Sequence, residues 1–363
     1  MLHRDHIRTA LVICSSIFVI LIVIVYRVSP RPMSVNNNLL SKKPQPETRR
    51  RRVMLTADRL AIIYANISRN GSRCKLVGFA NTTPGRLGNY MFFYAGVMYV
   101  AWLTGRSPCF WTKPHRPVRR DLYEVFDLDI KRINVKTLGC PFHTFKQEGV
   151  YTYDKRVESL IGINDNVSLW LRGHFCSWKY TQPIASQLRQ RLRFRKELTE
   201  FAADFLATSV PPGWTGLEFV RVGVHVRRGD YLAALAQSRG VTVAGERYLQ
   251  RAMSYFVGRF PRVQFIVASN DIPWCQKHVK LSMFNSTDVN ITFSVKHNAG
   301  QDLALLASCD HTVMTTGTFS WWAAWLANGT TVYYANFPRR GSWLSDRIRS
   351  KDIYHPDWIG FRD

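Results

Sequence analysis

Two arginines stand side by side where an apolar run ends: Val220–Val226 leads into Arg227-Arg228-Gly229-Asp230-Tyr231, and His225 lies inside the run. Arginine is a planar, permanently charged fork that holds phosphate or carboxylate oxygens two at a time. Two such forks can neutralise a diphosphate and stabilise it as a leaving group without a metal. His225 comes two residues before Arg227, on the same face of an extended strand. Asp230 could orient an arginine or accept a proton. The plain alternative is an Arg–Asp surface ion pair beside a buried histidine.

Polar clusters also follow three other apolar runs. Ser269-Asn270-Asp271 comes after Val263–Ala268, Lys296-His297-Asn298 after Ile291–Val295, and Thr316-Gly317-Thr318-Phe319-Ser320 after Thr312–Thr315. These runs, with Thr331–Tyr334, read as strands, and helix candidates alternate with them at Glu246–Phe260, Pro273–Val279, Gln301–Cys309 and Trp321–Asn328. That alternation implies βαβ units and a parallel sheet. Parallel sheets take ligands at the carboxyl ends of their strands, so the clusters should share one basic rim. Trp321, Trp322 and Trp325 could stack on a sugar or fill the core.

An earlier segment has a related plan. The strand Lys75–Ala80 is followed by Gly85-Arg86-Leu87-Gly88-Asn89 and an aromatic-rich helix, Tyr90–Leu103. Backbone N–H groups at such a turn can meet a ligand, although the demands of a tight turn explain the glycines equally well. The two glycines do not form a dinucleotide-binding G-x-G-x-x-G. Val167–Leu171 is a further strand, and Gln182–Leu206 a long Arg- and Leu-rich helical stretch. The expectation is an α/β protein of two domains, 73–212 and 213–363, divided near Pro211-Pro212-Gly213.

The preceding residues set an expectation about compartment. No charge interrupts Thr9–Tyr26, and arginines flank it on both sides. About 20 apolar residues span a bilayer, so we assign 1–9 as a cytoplasmic tail, 10–28 as a transmembrane signal anchor and 29–72 as a stem. The stem carries Pro30, Pro32, Pro44, Pro46 and the run Arg49–Arg52, and cannot bury enough surface to fold alone. The charges flanking the anchor lean towards a cytosolic body. Seven Asn-x-Ser/Thr sequons, at Asn66, Asn70, Asn81, Asn166, Asn285, Asn290 and Asn328, oppose that orientation. So does an even set of six cysteines beyond the anchor: Cys74, Cys109, Cys140, Cys176, Cys275 and Cys309. A luminal body is the better reading.

Composition narrows the function classes. The 363 residues are 46% apolar and 21% charged, which excludes a disordered chain. The net charge is +25, and the first 52 residues, with ten Lys/Arg against two Asp/Glu, hold only +8 of it. A basic folded body implies an anionic partner. Nucleic acid fits the charge, but the anchor and sequons do not suit it and no nucleic-acid-binding module is present.

From residue 75 onward the chain resembles the galactoside α-1,2-fucosyltransferases, and more distantly the α-1,6- and protein O-fucosyltransferases. Gly85–Asn89, Ser177-Trp178-Lys179-Tyr180, His225–Tyr231, Ser269–Asp271, Asp302–Leu306, Thr316–Ala324 and Pro356–Gly360 carry the resemblance by their order and spacing. It implies a glycosyltransferase-B-like fold that binds GDP-fucose in a Rossmann-like second half, with a β-galactoside acceptor contacted largely from the first half. It also implies a single-pass type II Golgi membrane enzyme with no cofactor. By this analogy Arg227 and Arg228 hold the diphosphate, His225 and Asp302 lie near the guanosine, and Asn270 and Asp271 belong to the donor site. Thr318, Phe319 and Ser320 would close over the donor, and Gly85, Arg86, Gly88 and Asn89 would line the cleft on the acceptor side. The reaction would be an inverting transfer to a galactose 2-hydroxyl, with Asp230 as the candidate base or with weak base assistance. These relatives work without a metal, which sets aside the tempting Asp127-Leu128-Asp129. A tethered GDP- or glycan-binding protein without catalysis, and transfer to protein Ser/Thr, are the rivals. Homodimerisation is left open.

Overall fold

The computed structural model describes residues 73–80, 85–112 and 121–363. The expected tail, anchor and stem, with sequons Asn66, Asn70 and Asn81, lie outside the described residues. No helix among the described residues is long and apolar enough to cross a membrane.

Two all-parallel sheets form the frame. The first orders its strands β3-β2-β1-β5-β4, from Leu76–Ala80 (β1), Ser107–Thr112 (β2), Lys131–Asn134 (β3), Phe142–Lys146 (β4) and Ser168–Arg172 (β5). The second is β11-β10-β9-β6-β7-β8. Its strands are Val220–Val226 (β6), Val263–Ser269 (β7), Val289–Phe293 (β8), His311–Met314 (β9), Thr331–Tyr334 (β10) and Ile359–Phe361 (β11). Strand order reverses at β1 in one sheet and at β6 in the other. A crevice opens at such a reversal, beyond the carboxyl ends of the strands.

The helix Leu87–Thr104 (α1) is apolar all round and buried from Leu87 to Ala101, as expected of a helix enclosed on every side. It ends at Gly105, whose φ of +64° lies in the left-handed region that favours glycine. Across the crevice it meets Thr318–Ala327 (α7), where Phe92 sits 4.7 Å from Trp321 and 4.9 Å from Trp322, ring centre to ring centre. Trp321, Trp322 and Trp325 are all buried. They form this inter-sheet core and are not a sugar platform.

The two sheets belong to one compact unit. A second tie joins the short helix Ser350–Ile353 (α8) to the first sheet's side. Lys179 pairs with the buried Asp352 at 2.5 Å, and Ser177 Oγ donates to the Asp352 carbonyl at 2.5 Å. The Trp178 indole donates to the Lys351 carbonyl at 2.9 Å. Cys74 and Cys140 form a disulfide, whereas Cys109, Cys176, Cys275 and Cys309 are buried thiols.

Two expectations need correction. The stretch 182–206 is not one helix: after Ala185–Arg191 the chain extends before Lys196–Thr208 (α3) begins. Residues 193–195 instead pair with 125–127, through Asp127 N–H to the Arg193 carbonyl and Arg195 N–H to the Val125 carbonyl. β8 begins two residues earlier than its apolar pattern suggests, because Asn290 and Thr292 occupy an edge strand where polar groups are tolerated.

Candidate active site

The carboxyl end of β6 is held before its side chains reach the crevice. Arg227 N–H donates to Thr315 Oγ1 at 2.9 Å and Arg228 N–H to Asn270 Oδ1 at 2.9 Å. Gly229 follows with φ +35°, and a Cβ there would fall 1.9 Å from Asn270 Nδ2. Only glycine permits this approach.

From that anchor the two arginines diverge, since successive side chains of an extended chain face opposite ways. Arg227 lines a cavity of about 660 Å³ between the two sheets. Its Nη2 donates to Asp230 Oδ1 at 2.5 Å, and its guanidinium lies 5.3 Å from the Tyr231 ring centre. Arg228 is not among the lining residues. It stacks on Trp274 at 3.7 Å, and its Nε donates to Asp271 Oδ2 at 3.3 Å. Asp271 in turn accepts from Trp274 N–H at the head of a helix and does not line the cavity. The expected pair of cleft-facing forks is therefore one fork and one support.

His225 lines the cavity from within the strand. Burial, and secondarily Arg227, push its pKa down to about 3, so the ring is neutral. Its Nδ1 lies 2.5 Å from Ser320 Oγ, which is itself 3.0 Å from the Thr316 carbonyl. Ser320 is fully buried beneath the histidine and absent from the lining. It does not close over a ligand; Thr318 and Phe319 do line the cavity.

Three helix N-termini open into the same space. Those of α1 and α7 have no side-chain cap and no acid in their first turns. Their uncapped N-termini and positive dipole ends suit an anion. Thr318 Oγ1 donates to Asn89 Oδ1 at 2.7 Å, tying one terminus to the other. A Cβ on Gly88 would lie 2.6 Å from the Phe319 nitrogen. Gly88 therefore serves the close approach of α1 to α7, and Gly85, Arg86, Gly88 and Asn89 all line the cavity.

The third terminus, that of Ala299–Ala307 (α6), is built differently. Asn298 Oδ1 accepts from Gly300 and Gln301 N–H, and Asp302 occupies the first turn. Asp302 Oδ1 accepts from Ser294 Oγ at 2.6 Å. Burial pushes its pKa up to about 6 against the opposing Ser294 hydrogen bond. One end of the cavity is thus cationic, with Arg86, Arg227 and two bare helix ends. The other offers a half-buried carboxylate acceptor.

All four expected rim clusters contribute lining residues: Arg227 and Asp230, Ser269 and Asn270, His297 and Asn298, Thr316 to Phe319. Asp230 Oδ2 is buried and has no hydrogen-bond partner. Asp127 and Asp129 are exposed and lie outside the lining. Glu124, Val125, Tyr151 and Leu198 line the cavity without having been anticipated. Only the tertiary fold brings these residues to the cavity. Of the described sequons, Asn166, Asn285 and Asn328 are exposed, while Asn290 is half-buried in β8.

A family model described as glycosyl transferase family 11 matches residues 50–362. Galactoside alpha-(1,2)-fucosyltransferase 1 of Mus musculus is 34% identical over 291 residues, covering 78% of this chain and 73% of the relative. Galactoside alpha-(1,2)-fucosyltransferase 2 of Sus scrofa is 30% identical over 280 residues, covering 76% and 77%. Among solved structures, an Arabidopsis thaliana FUT1 mutant in complex with GDP is similar in fold, with a TM-score of 0.50 at 13% identity over 84% of this chain and 78% of that one. Matched over most of its length by this model and by relatives at this identity, the chain belongs to glycosyl transferase family 11.

Proposed function

We propose that the protein transfers L-fucose from GDP-fucose to the 2-hydroxyl of a terminal β-galactose. The observation that carries this reading is one cavity with a diphosphate-suited end and a guanine-suited end. Arg227 and the bare N-termini of α1 and α7 supply the first. Asp302 supplies the second, since a carboxylate accepts from both N1–H and N2–H of guanine. A diphosphate bound there shares its charge with dipoles already in place, so little reorganisation is needed as it leaves.

In the reaction the bond from fucose C1 to the β-phosphate oxygen breaks, and the galactose O2 attacks C1 from the opposite face. The O2 proton passes to a base and GDP departs with the bonding pair. Asp230 is the proposed base, because one oxygen is held by Arg227 and the other has no partner. No metal is needed in this scheme. In a glycosyltransferase-B-like arrangement, residues 213–363 would hold the donor and 73–212 face the acceptor, with Arg86 and Tyr151 on that side. The disulfide and the exposed sequons support a body in the Golgi lumen behind a type II anchor.

The test is to incubate the protein with GDP-fucose and a panel of β-galactosides and map the product linkage by mass spectrometry. An α-1,2 product is expected. GDP binding without turnover would replace the proposal with a binding protein, and fucose on peptide Ser/Thr would replace the acceptor.

A further inference from the structure

Tyrosine hydroxyls inside a protein usually find a hydrogen-bond partner. Tyr248 Oη donates to the Met314 carbonyl at 2.7 Å, and Tyr180 Oη accepts from Asp154 N–H at 2.9 Å. Tyr231 departs from this pattern. It is half-buried and lines the cavity, yet its hydroxyl has no hydrogen-bond partner among the described residues. It belongs to the same short turn, Gly229–Leu232, as the proposed base Asp230.

The surroundings of that hydroxyl are those of the cationic end of the cavity. A Cβ built on Gly317, the residue before α7, would fall 3.1 Å from Tyr231 Oη, so the phenol lies against the uncapped N-terminus of that helix. The Arg227 guanidinium lies 5.3 Å from the ring centre. Arg86, at the head of α1, acts on the phenol through its charge as Arg227 does.

A phenol in this position is a donor. Burial pushes the Tyr231 pKa up, against the pull of Arg227 and Arg86, so the hydroxyl keeps its proton. A neutral donor adds a hydrogen bond to an oxyanion without adding a charge that would repel Arg227. A neutral sugar hydroxyl could accept from it, but would use little of the charge that two guanidiniums and a helix dipole supply. An anionic oxygen uses all of it.

We propose that Tyr231 is a catalytic residue whose hydroxyl donates a hydrogen bond to the β-phosphate of the sugar nucleotide. Asp230, in the same turn, must stand near fucose C1 to take the O2 proton, and the β-phosphate is the phosphate bonded to C1. The hydrogen bond strengthens as negative charge collects on the departing GDP. The proton stays on the phenol throughout. The proposal rests on the GDP-fucose reading, and its test separates the two. Tyr231→Phe keeps the ring near Arg227 and removes only the donor. Wild type and variant are titrated with GDP and with GMP by calorimetry, assayed for transfer from GDP-fucose to a free β-galactoside, and melted.

Tyr231→Phe is expected to bind GDP about tenfold more weakly and GMP as wild type does. Its kcat should fall by at least about tenfold with the galactoside KM unchanged, because the contact tightens in the transition state. Its melt should match wild type, since the hydroxyl holds no protein partner. GDP affinity and kcat at wild-type levels would overturn the proposal. Equal losses for GMP and GDP would overturn it too, by moving the hydroxyl away from the β-phosphate, and so would an effect confined to the galactoside KM. Wild type that binds no GDP and transfers no fucose would refute the GDP-fucose reading itself.

Discussion

Separating Arg227 from Arg228 tests the site most directly. Arg227 faces the cavity and retains several donors after giving Nη2 to Asp230. One or two charge-assisted hydrogen bonds to phosphate, at about 1.5–3 kcal/mol each, are at stake. Truncation also strands Asp230, whose side chain is only 15% exposed, next to the anion. Arg227→Ala should therefore weaken GDP binding by about 3 kcal/mol, roughly a hundredfold in Kd. Arg227→Lys should recover little, because an ammonium cannot hold both Asp230 and a phosphate with a planar fork.

Arg228→Ala should behave differently. It loses the stacking on Trp274 and the contact with Asp271, which lowers Tm by a few degrees. GDP affinity should change by no more than about threefold. Calorimetry with GDP, paired with thermal melts, reads both quantities. If Arg228→Ala impairs GDP binding as much as Arg227→Ala, the divergence of the two side chains is not the basis of recognition and the reasoning fails.

Three further outcomes are expected. Gly88→Ala should destabilise the protein by about 1–3 kcal/mol in denaturant titration, because the new methyl meets the α7 backbone at 2.6 Å; a neutral result would mean that α1 shifts freely. Asp302, with its pKa raised to about 6, loses its negative charge as pH falls through that value. GDP affinity should accordingly weaken from about pH 7 to about pH 5, and Asp302→Asn should remove the dependence while binding less tightly. Transfer should survive a chelator, since Arg227 and two helix ends carry the neutralisation; a loss of activity restored by manganese would reopen Asp127 and Asp129.

The second sheet was largely legible because its central strands are buried on both faces and bounded by turn residues. Val220–Val226 and Thr331–Tyr334 match their apolar runs end to end. The first sheet was less so. β3 is Lys131-Arg132-Ile133-Asn134 and β4 is Phe142-His143-Thr144-Phe145-Lys146, edge strands whose polar residues erase the alternation that marks a strand. The site was legible as a rim, because strand ends and turn residues are local features. Which way a side chain faces is not local. Arg227 and Arg228 are chemically identical, and one peptide unit decides that the first meets the cavity and the second a tryptophan. Ser320 sits inside a motif that lines the cavity, yet the turn of α7 carries it underneath.

The chain His225–Ser320–Thr316 shares a single hydroxyl hydrogen. Ser320 Oγ lies 2.5 Å from His225 Nδ1 and 3.0 Å from the Thr316 carbonyl, and its hydrogen can serve only one of them. With its pKa pushed down to about 3 the ring does not become a cation at ordinary pH, so it carries one N–H and one lone pair. With the serine hydrogen on the carbonyl, Nδ1 donates and Nε2 accepts; with it on Nδ1, Nε2 donates. A rotation of one buried hydroxyl therefore sets whether the histidine offers an occupant a hydrogen or a lone pair.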